Sequence, residues 1–290
     1  MKELVVISGK GGTGKTSLVS AFASLAENMV LCDADVDAAD LHLIMAPDVK
    51  KSSDFESGHT AIIDRDKCTE CNLCKDLCKW GAIDEDFRVD PIECEGCGVC
   101  FYFCPEKAIE FLPNRCGEWY ISDTRFGPMV HARLGIAEEN SGKLVTLVRK
   151  EAKNLAETKN MALILTDGAP GVGCPVIASI GGADAVLVVT EPTVSGVHDM
   201  ERVVQLAEFF KIPAFVCVNK HDLNPEKAGE VEAFANKKGL QFLGRIPFDP
   251  VFTKAMVQGR NIFEYNSGSE ACHVVSQIWT QIGEILGVGK

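Results

Sequence analysis

One stretch limits the fold more than any other. Residues 9–16 read GKGGTGKT directly after the apolar run Leu4, Val5, Val6, Ile7. This is G-x4-G-K-T, a phosphate-binding loop, set after a strand and before a predicted helix over residues 17–26. Its glycines keep side chains away, so that backbone N–H groups of Gly11, Gly12, Thr13, Gly14, Lys15, Thr16 and Ser17 can face one anion. The positive end of the following helix stands behind them. Lys15 is placed to reach β- and γ-phosphates, and the Thr16 hydroxyl to ligate Mg²⁺. A glycine-rich turn that matches by chance is the competing reading. Strand, loop and helix all falling in register disfavours it.

At 290 residues the chain has room for a full α/β core and a small extra module. Its formal net charge of -12 argues against a nucleic-acid surface, which needs clustered Lys and Arg. No apolar run approaches the length that spans a bilayer, and MKELVVISGKGG reads as a strand rather than a signal peptide. A cytoplasmic location is therefore expected. Thirteen cysteines are out of place there as disulfides, so most should hold metal.

Eight of the thirteen form one pattern. Cys68-x2-Cys71-x2-Cys74-x3-Cys78 is followed by Cys94-x2-Cys97-x2-Cys100-x3-Cys104-Pro105. The segment repeats at an offset of 26, carrying Asp64 onto Asp90 and Ala82-Ile83 onto Ala108-Ile109. The duplication resembles bacterial two-cluster ferredoxins, in which the fourth cysteine of each run ligates the other cluster. The resemblance implies one [4Fe-4S] cluster on Cys68, Cys71, Cys74 and Cys104, and a second on Cys94, Cys97, Cys100 and Cys78. A pair of zinc sites is the alternative, although zinc has no use for a doubled three-plus-one arrangement. Lys79 stands where proline usually follows the first run, which changes a turn and removes no ligand. Cys32, Cys116, Cys174, Cys217 and Cys272 are left over.

Around this insertion the pattern is that of alternating strands and helices. A strand over residues 29–33 ends in Asp33-Ala34-Asp35, with Asp37 and Asp40 beyond; these last two also suit an acidic helix N-terminus. A short strand over 118–122 and a helix from Asn140 to about Thr158 follow the insertion, with Lys143 in the first turn solvated or meeting an anion. A buried strand over 161–166 leads to Asp167-Gly168-Ala169-Pro170-Gly171, a Walker B aspartate that should hold Mg²⁺ through water. Further strands over 184–190, 214–219 and 240–246, and a final helix over 268–286, complete a mostly parallel, doubly wound α/β sheet.

The extra lysine, Lys10, is the mark of the deviant Walker A ATPases, the MinD/ParA/Mrp and nitrogenase-iron-protein group, which this chain resembles. The resemblance implies that Lys10 crosses a dimer interface to the partner's nucleotide, and that Asp35 orients the attacking water. It implies too that the loops after Asp33 and Asp167 are switches I and II. Pro247, Phe248 and Asp249 look like the adenine-side loop of MinD and Mrp proteins, with Asn219 and Asp222 on the base. Asn219-Lys220-His221-Asp222 also matches the guanine-specifying N-K-x-D of GTPases; the two-lysine loop favours ATP.

The expected organisation is an ATPase domain over 1–60 and 114–290, with a small two-cluster ferredoxin-like domain inserted over 61–113. A homodimer on nucleotide binding, with ATP-gated electron transfer to an unidentified redox partner, is the preferred reading. The runners-up are a metallocluster assembly or carrier ATPase, and a MinD-like positioning protein with a redox sensor. MinD anchors through a basic amphipathic C-terminal helix. Here no Lys or Arg lies between Arg260 and Lys290, so Val274, Val275, Ile278, Trp279, Ile282 and Ile285 are expected on the sheet rather than a membrane. Cys174 reads either as a small buried residue at a helix start or as a thiol on the nucleotide-dependent interface, with Cys116 the one loosely placed companion.

Overall fold

The computed structural model describes residues 1–135 and 140–288. In chain order the elements are β1 (Lys2–Ser8), α1 (Lys15–Ala23), β2 (Met29–Asp33), α2 (Leu41–Met45), β3 (Asp48–Ile63), α3 (Leu73–Leu77), α4 (Val99–Phe103), β4 (Ile109–Thr124) and β5 (Gly127–Leu134). They continue with α5 (Ser141–Thr158), β6 (Leu163–Pro170), α6 (Cys174–Ile180), β7 (Ala185–Thr190), α7 (Val194–Phe209), β8 (Ala214–Asn219), α8 (Pro225–Lys238), β9 (Gln241–Ile246), α9 (Val251–Val257), α10 (Ile262–Asn266) and α11 (Glu270–Leu286). Two compact units result. One holds Met1–Ser53, Trp119–Leu134 and Ser141–Lys290; the other holds Asp54–Glu118 and Gly135–Asn140. Strands β3 and β4 have residues in both.

The strand order is β3-β4-β5-β2-β6-β1-β7-β8-β9. From β5 to β9 every neighbouring pair runs parallel. Both faces of such a sheet are covered, which is why β1 reads as a continuous run: Leu4, Val5, Val6 and Ile7 are all fully buried. Leu4 and Val6 join a core with α1, α2 and α9–α11 on one face, and Val5 and Ile7 join α6–α8 on the other. Each such side chain contributes about 1.5–3 kcal/mol of burial. In α11, Val275, Ile278 and Ile282 are fully buried and Trp279 stacks on Phe22 at 5.1 Å, so the apolar stripe packs on its own core as expected, except for Ile285, which is exposed. No helix among the described residues is long and apolar enough to cross a membrane.

Several boundaries differ from the expectations, among them that of β6, which begins at Leu163 and runs on through Asp167 to Pro170 rather than spanning 161–166. Helix α1 opens at Lys15 rather than residue 17 and ends at Ala23. The strand foreseen over 118–122 is the end of a sixteen-residue strand, Ile109–Thr124. Its equally long companion β3 gave no signal. Its first residues, Asp48-Val49-Lys50-Lys51-Ser52, are all exposed at the edge of the sheet, so no apolar alternation marks them, and charge protects an edge strand.

His131 in β5 is buried and hydrogen-bonded through Nε2 to the Ser122 hydroxyl at 2.9 Å. Burial, helped by the nearby His42, pushes its pKa down to about 4. The unfolded chain then takes up this proton near pH 6.5 and the folded chain only near pH 4. Stability is therefore complete above pH 6.5 and is lost as the pH falls towards 4, by ~3 kcal/mol in all. Denaturant titrations of His131→Gln should show a flatter stability profile over that window; an unchanged slope would rule this residue out as the acid-sensitive group.

The second unit repeats its own geometry. Helices α3 and α4 are displaced by the same 26 residues as the cysteine runs. Left-handed backbone recurs at the same offset: Glu70 with Gly96, Asn72 with Gly98, and Gly81 with Lys107. The two halves also exchange a hydrogen bond. Asp64 N donates to the Ala108 carbonyl at 2.7 Å, and Asp90 N donates to that of Ala82 at 2.8 Å.

Candidate nucleotide site and cysteine cavities

The site lies at the carboxyl ends of the parallel strands, where β1 stands between β6 and β7. The loop after β1 closes over Gly14, which has φ 93° and caps α1. A side chain there would meet Asn219 Nδ2 at 2.5 Å as well as strain the backbone, so glycine is required twice over. Asn219 Nδ2 donates to the Thr13 carbonyl at 2.8 Å, and its Oδ1 accepts from Lys220 N at 2.9 Å. Asn219, expected on the base, also braces the loop from below, with one amide N–H still to spare. Ser17, in the first turn of α1, lends its carbonyl to the Ser20 hydroxyl. The loop after β6 is tied in by Gly171 N donating to the Ser8 carbonyl at 2.8 Å.

Neighbouring strand ends gather the acids. Asp33 on β2 is in register with Asp167 on β6, and Ala34 N donates to the Asp167 carbonyl at 2.8 Å. Lys15 Nζ lies 3.5 Å from Asp35 Oδ2, with both side chains less than a tenth exposed. Burial drives the Asp33 carboxyl well above the carboxylate range, and Asp167 and Asp35 add to the rise. Burial also raises Asp167 to about 6, against the pull of Lys15 and a hydrogen bond from Thr16. Burial raises Asp35 against Lys15 in the same way. Asp33 Oδ2, Asp167 Oδ1 and Thr13 Oγ1 are buried without hydrogen-bond partners. Orphaned carboxylate oxygens beside the Thr16 hydroxyl are the donor set that a hard cation prefers, so these residues fit Mg²⁺. Asp33 was passed over as a site residue, although its place in the D-x-D pattern marks it.

Two more residues were missed. Lys10 Nζ lies 3.1 Å from Glu191 Oε2 and 3.5 Å from Thr193 Oγ1. Lys220 Nζ takes the other Glu191 oxygen and the Gly12 carbonyl at 3.2 Å. Burial raises the Glu191 carboxyl, but the two ammonium groups more than offset it and leave its pKa below the ordinary glutamate value. Asp222 Oδ1 accepts from Phe248 N at 2.7 Å, which joins the turn after β8 to the loop from Pro247 to Asp249. Phe248 is half exposed, and Asp249 Oδ1 accepts from Val251 N to open α9. Asp37 and Asp40 are exposed, and Cys174 is an exposed thiol at the start of α6. Cys116 is buried with Sγ donating to the Ser57 carbonyl at 2.9 Å. Cys32 and Cys217 are inert core thiols, Cys217 being pushed up to about 12 by burial.

In the second unit, two cavities divide the eight cysteines between them. Cys68, Cys71, Cys74 and Cys104 line one. Cys78, Cys94, Cys97 and Cys100 line the other. The remaining walls are apolar, including Ile63, Phe87 and Ile109 in the first and Trp80, Ile83 and Phe111 in the second. Ala108 N donates to Cys104 Sγ at 3.3 Å. Among the described residues no three His, Cys, Asp or Glu side chains converge on a point that a single ion could fill. Four soft thiols around an apolar cavity do fit an iron–sulfur cluster by donor chemistry.

A parallel sheet with a two-lysine phosphate loop on its central strand and acids on the adjoining strand ends defines a P-loop nucleotide-binding protein. Residues 4–262 match the CobQ/CobB/MinD/ParA nucleotide binding domain, and the chain belongs to that family. An uncharacterised protein of Methanocaldococcus jannaschii is 36% identical over 288 residues, covering 98% of this chain and 97% of that one. An iron-sulfur cluster carrier protein of Pyrococcus horikoshii is 22% identical over 310 residues, covering 99% and 88%. The fold resembles that of the septum site-determining protein MinD of Pyrococcus horikoshii, solved with Mg-ADP. The TM-score there is 0.62 at 16% identity, over 99% of this chain and 98% of that one.

Proposed function

We propose that the chain is an ATPase that dimerises on nucleotide binding and gates electron transfer from two [4Fe-4S] clusters to a redox partner protein. The ATPase domain is assigned to 1–60 and 114–290, and the cluster domain to 61–113. The observation that carries the reading is the division of eight cysteines into two four-thiol cavities, each drawing its fourth thiol from the other run. Such a set leaves no ligand position open, which suits a resident redox centre. When bound, the clusters supply one-electron chemistry at potentials tuned by hydrogen bonds such as that to Cys104 Sγ.

The chain's own groups do the rest. Lys15 and the loop amides hold the phosphates, and Thr16 and Asp167 hold Mg²⁺, with Asp33 behind them. Asp35 orients water once Lys15 turns to the nucleotide. Lys10 leaves Glu191 to reach across the dimer. Lys10→Ala and Asp35→Ala should bind ATP normally and hydrolyse it slowly, by on the order of 10²–10⁴ for the carboxylate. Normal turnover by Lys10→Ala would remove the cross-dimer role. ATP should out-compete GTP; the reverse preference, with Asp222→Asn favouring xanthosine nucleotide, would make the chain a GTPase.

The decisive experiment is a potentiometric titration of anaerobic protein with and without Mg²⁺ and a non-hydrolysable ATP analogue. The cluster potentials should move with nucleotide. Full-length similarity to a cluster carrier favours a second reading, in which the clusters are cargo. Potentials indifferent to nucleotide, with rapid transfer of iron and sulfide to an apo-ferredoxin, would establish that reading instead.

A further inference from the structure

The turn between β4 and β5 holds a residue that neither the phosphate loop nor the cysteines account for. Arg125 Nη1 donates to the Met45 carbonyl at 2.9 Å, and Nη2 donates to that of Ile44 at 2.8 Å. These are orphan carbonyls at the end of α2, the five-residue helix that directly follows the Asp33–Asp40 acids. The same guanidinium reaches the Gly259 carbonyl at 3.2 Å and pairs with Glu264 of α10, Nη2 to Oε2 being 2.8 Å. It lies over the ring of Phe126, 4.8 Å from the centroid, and Phe126 packs on the core. At the other end of β5, Leu134 N donates to the Val36 carbonyl at 3.2 Å, one residue from Asp35. The hairpin therefore grips the acidic loop and its helix at two separate places.

We infer that Arg125 is the positioning residue through which the nucleotide site moves the β4–β5 turn. The loop that carries Asp35 runs directly into α2, so a shift of that loop when Lys15 leaves Asp35 would bear on the helix whose last carbonyls are bonded to Arg125. The strand that enters this turn, β4, begins at Ile109, just past the last cysteine of the repeat. The clamp does not depend on the gated-transfer reading above.

Amide hydrogen exchange of the full chain separates the two. In the wild type, Mg²⁺ with a non-hydrolysable ATP analogue should change the exchange of the amides of residues 124–127 about tenfold, the factor expected when one charge-assisted hydrogen bond is made or lost. Arg125→Gln should bind the analogue as the wild type does and lose that response, and Arg125→Lys should restore part of it. Glu264→Gln, which keeps the carbonyl contacts, should respond to an intermediate degree and carries the test should Arg125→Gln not fold. An undiminished response in both the Gln variants, or none in the wild type, would overturn the clamp. So would a nucleotide affinity that falls in step with the response, since Arg125 would then only hold the site together. A clamp response in a wild type whose cluster potentials ignore nucleotide would leave Arg125 in place and remove gated transfer.

Discussion

Lys15→Ala should lose nucleotide binding altogether and destabilise the fold as well. The ammonium group lies 3.5 Å from Asp35 Oδ2, in a site that also holds buried Asp33 and Asp167. Removing it takes away the partner of the phosphates and leaves three buried carboxyls without their fixed cation. Breaking a buried pair in this way costs about 3–5 kcal/mol. That is a large share of the roughly 5–15 kcal/mol a domain has in hand. The loss should shrink as the pH falls, because carboxyls that are already raised can take up protons instead. Mg²⁺ should recover part of it by facing the same oxygens. Lys15→Arg is the control, keeping the charge while changing its reach. Equilibrium dialysis with labelled ATP and chemical denaturation at two pH values measure both effects. A Lys15→Ala protein that binds ATP as the wild type does would disprove the phosphate-loop assignment.

The second large effect is expected at Cys104. Its Sγ belongs to the cavity lined by Cys68, Cys71 and Cys74, although it follows Cys100 by only four residues. Cys104→Ser should therefore cost about half of the iron and acid-labile sulfide, and the same cluster should disappear as in Cys71→Ala, as follows from the crossed ligation of two-cluster ferredoxins. Cys78→Ser should be the mirror case, sharing its loss with Cys97→Ala. Paramagnetic resonance of the reduced variants would tell the two clusters apart. Cys104→Ser losing the cluster of Cys94, Cys97 and Cys100 would refute the crossed arrangement, and stoichiometric zinc without sulfide would refute clusters of any kind. A variant with both sets broken should unfold this unit. Among its described residues the buried apolar side chains are few, Phe55, Ile83, Phe87 and Ile109 being the large ones. A unit of that size needs staples.

How much of this was legible in the sequence depends on how far apart the interacting residues lie. The phosphate loop and the paired cysteine runs are local patterns, and the parallel core follows from apolar runs such as Leu4 to Ile7. The D-x-D signal was also local, yet the role of Asp33 emerges only when β2 is set beside β6. Glu191 and Arg125 carry no local pattern at all. Each is a single charged residue whose partners come from distant parts of the chain. Asn219 shows how a motif position can carry a second role: its amide also braces the loop through Thr13 and Lys220, which no local pattern announces. Strand β3 stayed hidden because a charged edge strand lacks the alternation that gives strands away.

Glu191 changes what the arrival of a nucleotide means. With one oxygen on Lys10 and the other on Lys220, the carboxylate already supplies the counter-anion these cations would otherwise lack. In the proposed dimer the partner's polyphosphate would not meet a bare ammonium at Lys10; it would displace a resident anion and take over its partner. Binding is then an ion exchange in which the number of paired charges changes little, and the dependence of affinity on salt should be shallower than the count of nearby lysines suggests.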